Sequence, residues 1–167
     1  MVGGCARSSI LPDGQEDFLE LVGLLIRRVN LDFREQIDRA LIDGGVDLTF
    51  GESSALSIIA NRPGMNGAEL ARRAMVSPQA MNNVLRELAR RRLVQRRTHP
   101  ASQRADAWHL TERGAELRAR ARGIFDGVIA RMLATLSDTD VRRFASYLTA
   151  CASALEEGAH GSVQRGA

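Results

Sequence analysis

Lysine is absent from this chain: all 23 basic residues among its 167 are arginine. Arginine grips phosphate through a planar fork where lysine offers a point charge. Coding bias explains the same usage, so the absence by itself assigns no partner. Aromatic residues are only 4% of the chain, which leaves a core to be built from Leu, Val, Ile, Ala and Met. The two cysteines, Cys5 and Cys151, lie far apart and form neither a metal nor a redox motif. No apolar run approaches the roughly 20 residues that cross a bilayer. Met1 to Asp13 contains no apolar stretch of signal-peptide length, so the expected compartment is the cytoplasm, with no membrane partner. A phosphate-binding glycine loop and a nucleotide fingerprint are both missing. So is any nucleophile set beside a base, or any cluster of carboxylates, and an enzyme is not expected. His99, His109 and His160 are scattered. His99 and His109 could approach across a ribbon, but two histidines without a third ligand make a poor zinc site. The expectation is no metal and no cofactor.

What is present is an uneven charge. The chain carries +3 overall, yet residues 62–104 hold ten arginines against two acids, Glu69 and Glu87. That segment is +8 and the remainder −5. A basic middle in an acidic frame is the footprint of polyanion binding. The length suits one domain rather than two.

Within the basic segment, Ser77-Pro78 opens a helix, the serine hydroxyl as N-cap and proline where no N–H is needed. Met81, Val84, Leu85 and Leu88 form one apolar stripe at helical spacing. Gln79, Asn82, Asn83, Arg86 and Arg90 lie opposite. Side-chain amides match adenine edges, and guanidinium matches guanine edges or phosphate, as a helix in a DNA major groove requires.

The neighbouring segments give this helix its context. Residues 1–13 are expected to be a mobile tail. From Gln15 to Asp43, Phe18, Leu21, Val22, Leu25, Val29, Phe33, Ile37 and Leu41 recur every three or four residues, a long amphipathic helix ended by Gly44-Gly45. Its apolar face exceeds what one subunit of this size can cover. Thr49-x-x-Glu52 and Asn66-x-x-Glu69 each have capping-box spacing and predict short helices to about Asn61 and Arg73. The second of these, a turn at residues 74–76 and the Ser77 helix make a helix-turn-helix, although the turn lacks the glycine often found there. Val94 to Thr98 and Arg104 to Leu110 read as two strands around a loop at residues 99–103. A ribbon directly after such a helix is a wing, with Ser102, Gln103 and Arg104 at its tip. Thr111 caps a helix running through Leu136. Ser137 caps a last one, with Val141, Phe144, Leu148, Cys151 and Leu155 on one face, where a buried, inert thiol is expected. The expected class is mainly α with a small β-wing.

Several of these pieces together resemble the MarR family of bacterial transcription regulators. They are Gly67-Ala68-Glu69-Leu70-Ala71-Arg72-Arg73, Val76-Ser77-Pro78-Gln79-Ala80-Met81-Asn82, Leu85-x-x-Leu88, Leu93-Val94 and Leu110-Thr111-Glu112-Arg113-Gly114. The resemblance spans about Phe18 to Leu155. It implies a homodimer of winged helix-turn-helix subunits that binds double-stranded DNA, as a repressor. A dimerisation helix would span 14–46, the DNA-binding lobe 47–110 and C-terminal dimerisation helices 111–157, with a flexible tail at 158–167. Base edges would be met by Gln79, Asn82, Asn83 and Arg86 near Ser77 and Pro78, phosphates by Arg72, Arg73 and Arg90, and the minor groove by Arg104. The family's acidic wing signature is replaced here by His99, Ser102 and Gln103. The resemblance also implies a small aromatic effector, for which Arg28, Phe33 and Phe50 are the candidate residues. One branch of the family senses peroxide through a first-helix thiol, and that helix has no cysteine here. The competing reading is a winged-helix module that uses Arg86 and Arg90 to Arg92 against an acidic protein.

Overall fold

Local caps set most of the helix boundaries. The computed structural model describes the backbone of residues 16–99 and 102–163, and side chains over 18–97 and 107–155. In chain order it has α1 (Glu16–Asp43), α2 (Phe50–Asn61), α3 (Gly67–Ala74), α4 (Pro78–Arg90), β1 (Val94–His99), β2 (Ser102–Leu110), α5 (Glu112–Leu133) and α6 (Asp138–Val163). Both capping boxes form as the spacing predicts. Thr49 accepts from the Glu52 N–H while the Glu52 carboxylate accepts from the Thr49 N–H, and Asn66 and Glu69 do the same for α3. Ser77 caps α4 by accepting from the Ala80 N–H at 3.1 Å.

The turn between α3 and α4 manages without glycine because Met75 itself takes the left-handed conformation, φ 52° and ψ 43°. Its N–H reaches the Arg72 carbonyl, and the Val76 N–H the Ala71 carbonyl, closing the end of α3. Arg92, also at positive φ, makes the turn from α4 into β1. The strands pair antiparallel from Val94–Leu110 to His99–Ser102, with an irregularity at Thr98/His99. The wing strands are therefore longer, and their link shorter, than the sequence pattern suggests.

The chain packs as two units divided after Phe125. In the first, Leu56 and Ile59 of α2, Leu70 of α3, Met81, Leu85 and Leu88 of α4, and Leu93 are at most 1% exposed. The start of α5 is locked to the turn after α4. The Thr111 hydroxyl donates to the Arg92 carbonyl at 2.8 Å and accepts from the Gly114 N–H at 3.0 Å. A Cβ at residue 114 would collide with the Leu93 carbonyl, so the Leu-Thr-Glu-Arg-Gly run is a close backbone approach that only glycine permits.

α1 is only partly covered. Ile37 and Leu41 are fully buried and Phe33 half-buried, while Phe18, Leu21, Leu25 and Val29 of the same stripe are 48–56% exposed. The second unit holds the end of α5 and α6. Two boundaries differ from expectation there: α5 stops at Leu133, and α6 continues through Gly158 to Val163, residues read from sequence as tail. Phe144, Leu148, Leu155 and Cys151 of α6 are exposed, so the thiol is not a buried one. No described helix is long and apolar enough to cross a membrane.

Candidate nucleic-acid interface

α4 presents two unlike faces because its sequence alternates at helical spacing. Met81, Leu85 and Leu88 face the core with Val84 half-buried beside them, and Ser77, Pro78, Gln79, Asn82, Asn83, Arg86 and Arg90 are exposed. Gln79, Asn82, Asn83 and Arg86 line one open groove of about 520 Å³ with Leu85 of the same helix, and its far side is formed by Arg96 and Trp108. No acid lines it. The first turn of α4 also holds no acid, so the positive end of the helix dipole is uncompensated. Within the groove the Asn83 side-chain oxygen accepts from Arg86 Nη2, which ties two predicted base-reading side chains together. Asn82 lies over the start of α3, its side-chain oxygen 3.3 Å from where a Cβ on Gly67 would stand.

The remaining predicted residues are distributed differently. Arg72 and Arg73 do not join this groove. They line a second concavity of about 550 Å³ with Arg62, Pro63, Gly64, Met65 and Glu69. Arg90 donates to both Glu87 carboxylate oxygens, at 2.6 and 2.9 Å. Those hydrogen bonds hold the Glu87 carboxyl below, and the Arg90 guanidinium above, their ordinary ranges. The Ser77 hydroxyl is occupied as a cap. Ser102, Gln103 and Arg104 belong to β2, and their side chains lie outside the described residues.

Arg91 is turned inward. It reaches Glu52 at 3.4 Å, Asp47 Oδ2 at 2.9 Å and the Asp47 carbonyl, and its side chain is 17% exposed. A surface that uses Arg90 to Arg92 as free cations for an acidic protein is therefore missing its middle member. The histidine pair is also corrected by the register. His109 opposes Gln95 while His99 opposes Ser102, at opposite ends of the ribbon. Among the described residues no group of three His, Cys, Asp or Glu could hold a metal ion.

An aromatic cluster forms elsewhere in the first unit. Phe33 meets Phe50 edge-on at 6.1 Å and Phe125 at 6.4 Å, and Phe50 stacks with Phe125 at 5.7 Å. The cation beside it is Arg34, 5.1 Å from the Phe50 ring centre. Arg28, predicted for that role, pairs with Asp32 on the exposed side of α1 instead. Sequence reasoning missed Arg34 and Phe125 here, and Arg96 and Trp108 in the groove. Arg96 was accessible in principle, since a strand starting at Val94 puts it two residues on, on the same face.

The sequence model of a family described as the MarR family matches residues 46–105. The HTH-type transcriptional repressor Rv2887 of Mycobacterium tuberculosis is 39% identical over 123 residues, which cover 74% of this chain and 87% of that protein. The chain belongs to the MarR family. A crystal structure of the MarR family protein Rv2887 with salicylic acid superimposes at a TM-score of 0.63 and 35% identity, covering 86% of this chain and 98% of that one. The same M. tuberculosis protein in complex with DNA gives a TM-score of 0.63 at 36% identity, covering 77% and 95%. The family match spans α2, α3, α4, β1 and the start of β2, so this MarR-family chain carries its amide and guanidinium groups on a helix within the matched segment.

Proposed function

We propose that this chain is a dimeric, sequence-specific DNA-binding transcription regulator of MarR type, a repressor that acts in the cytoplasm. A small aromatic or phenolic ligand releases it from a pseudo-palindromic operator. The observation that carries the reading is the groove in which Gln79, Asn82, Asn83 and Arg86 stand exposed together with no acid among them. Amide and guanidinium forks of that kind read base edges in the major groove. Arg72, Arg73 and Arg90 take the flanking phosphates, with Arg104 of the wing reaching the minor groove. The salicylic acid bound by Rv2887 supports an aromatic effector, and Phe33, Phe50, Phe125 and Arg34 offer ring faces and a cation for an aromatic acid. The exposed stripe from Phe18 to Val29 supports pairing with a second copy of this chain.

Binding to duplex DNA over a salt series tests the reading. Affinity should fall steeply as salt rises, because phosphate contacts release counterions. A flat response would favour a protein-contact module. On a selected high-affinity site, Arg86→Ala should cost about 1–3 kcal/mol and relax the base preference at one position. Unchanged affinity and preference would remove α4 from the interface.

A further inference from the structure

The wall of the groove opposite α4 is built from the wing. β1 and β2 place Arg96 directly opposite Trp108, and opposed residues of an antiparallel pair share one face of the ribbon. The Arg96 guanidinium carbon stands 4.9 Å from the Trp108 ring centre, within cation–π range. Trp108 is a fixed platform. Its backbone N–H donates to the Met65 carbonyl at 3.0 Å, its backbone carbonyl accepts from the Gly64 N–H at 3.1 Å, and the residue is 5% exposed. Arg96, by contrast, is exposed and lines the groove beside Gln79, Asn82, Asn83 and Arg86.

We propose that Arg96 is a further DNA-contacting residue of this surface, a phosphate clamp bordering the bases read by α4, with Trp108 as its positioning residue. The proposal rests on the DNA-binding reading above. A guanidinium carries a permanent charge and several N–H donors, which suit phosphate, and the ring beside Arg96 limits where that group stands. Geometry selects phosphate over base. A helix with its side chains is about 10–12 Å across and nearly fills a major groove about 12 Å wide. A cation on the adjoining strand therefore meets the backbone that walls the groove.

The test measures affinity for a random-sequence duplex and for a selected site across a salt series, with wild type, Arg96→Gln, Arg96→Lys and Trp108→Leu. Arg96→Gln should weaken binding about equally on both duplexes, by roughly tenfold, and reduce the slope of log affinity against log salt by about 0.9. Arg96→Lys should keep the slope and recover only part of the affinity, since the ammonium has the charge without the planar fork. Trp108→Leu should lower the slope as Arg96→Gln does, and the double variant should add little. Arg96 is exposed, so Arg96→Gln is expected to stay folded, keeping the result readable even where Trp108→Leu lowers stability. Wild-type affinity and slope in Arg96→Gln, or a loss confined to the selected site, overturns the proposal alone. A wild-type protein that binds neither duplex overturns it together with the reading beneath it.

Discussion

The two ends of α1 carry one apolar stripe and meet different surroundings. Ile37 and Leu41 are 0% exposed, while Leu21, Leu25 and Val29, in the same register two to four turns earlier, are each 48% exposed. The buried end is completed by its own chain. The Gly44 N–H closes α1 on the Ala40 carbonyl, the Phe50 N–H donates to Asp38 at 2.6 Å, and Arg120 donates to the Gly44 and Gly45 carbonyls. The other end leaves Leu21, Leu25, Val29 and Phe18 in water, each of which gains roughly 1.5–3 kcal/mol on full burial. One stripe thus serves the fold of a subunit at one end and, in the proposed dimer, the pairing of two at the other.

The largest effect should come from breaking the exposed end. Leu21→Glu with Leu25→Glu puts charges where the partner must pack. Sedimentation should report a monomer with wild-type helical circular dichroism. Affinity for a two-half-site duplex should fall at least about 100-fold, the avidity that linked half-sites supply. A dimer surviving the change would mean that the stripe has another purpose.

The contrast sharpens with a matched pair of milder changes. Leu41→Ala should destabilise the subunit by about 2–5 kcal/mol, as fully buried leucines do, independently of protein concentration. Leu25→Ala should act through association, so its loss in melting temperature should shrink as concentration rises. Equal, concentration-independent losses would erase the distinction between the two ends.

The smallest effect belongs to the helix-turn-helix itself. Met75 is 91% exposed and held at φ 52°. A left-handed residue bearing a Cβ costs about 1–2 kcal/mol, so Met75→Gly should stabilise the lobe by about 1 kcal/mol and raise its melting temperature by roughly 2–4 °C. A lower melting temperature would mean that the Met75 side chain contributes contacts which outweigh its backbone strain.

The features legible in the sequence were those decided by nearby residues. Thr49 with Glu52, Asn66 with Glu69, and Ser77 with Pro78 fix three helix starts within four residues each. The exposed face of α4 follows from periodicity, and the wing from its place after that helix. What depends on distant partners was hidden. Arg91 looks like one more surface cation until the fold brings Asp47, 44 residues earlier, against it. Arg34 and Phe125 join Phe33 and Phe50 only through the packing of three helices. α6 crosses Gly158 against its low helix propensity, so composition marks the helix end too early.

The central claim is that a closed winged lobe presents Gln79, Asn82, Asn83 and Arg86 to DNA, twice over, through two-fold pairing. Selection of bound fragments from a random duplex pool tests it most directly. The account predicts an inverted repeat whose half-site centres lie about 10–10.5 base pairs apart, one turn of the duplex, bound by two copies. An asymmetric single site filled by one copy, or no enrichment of any sequence, would contradict it.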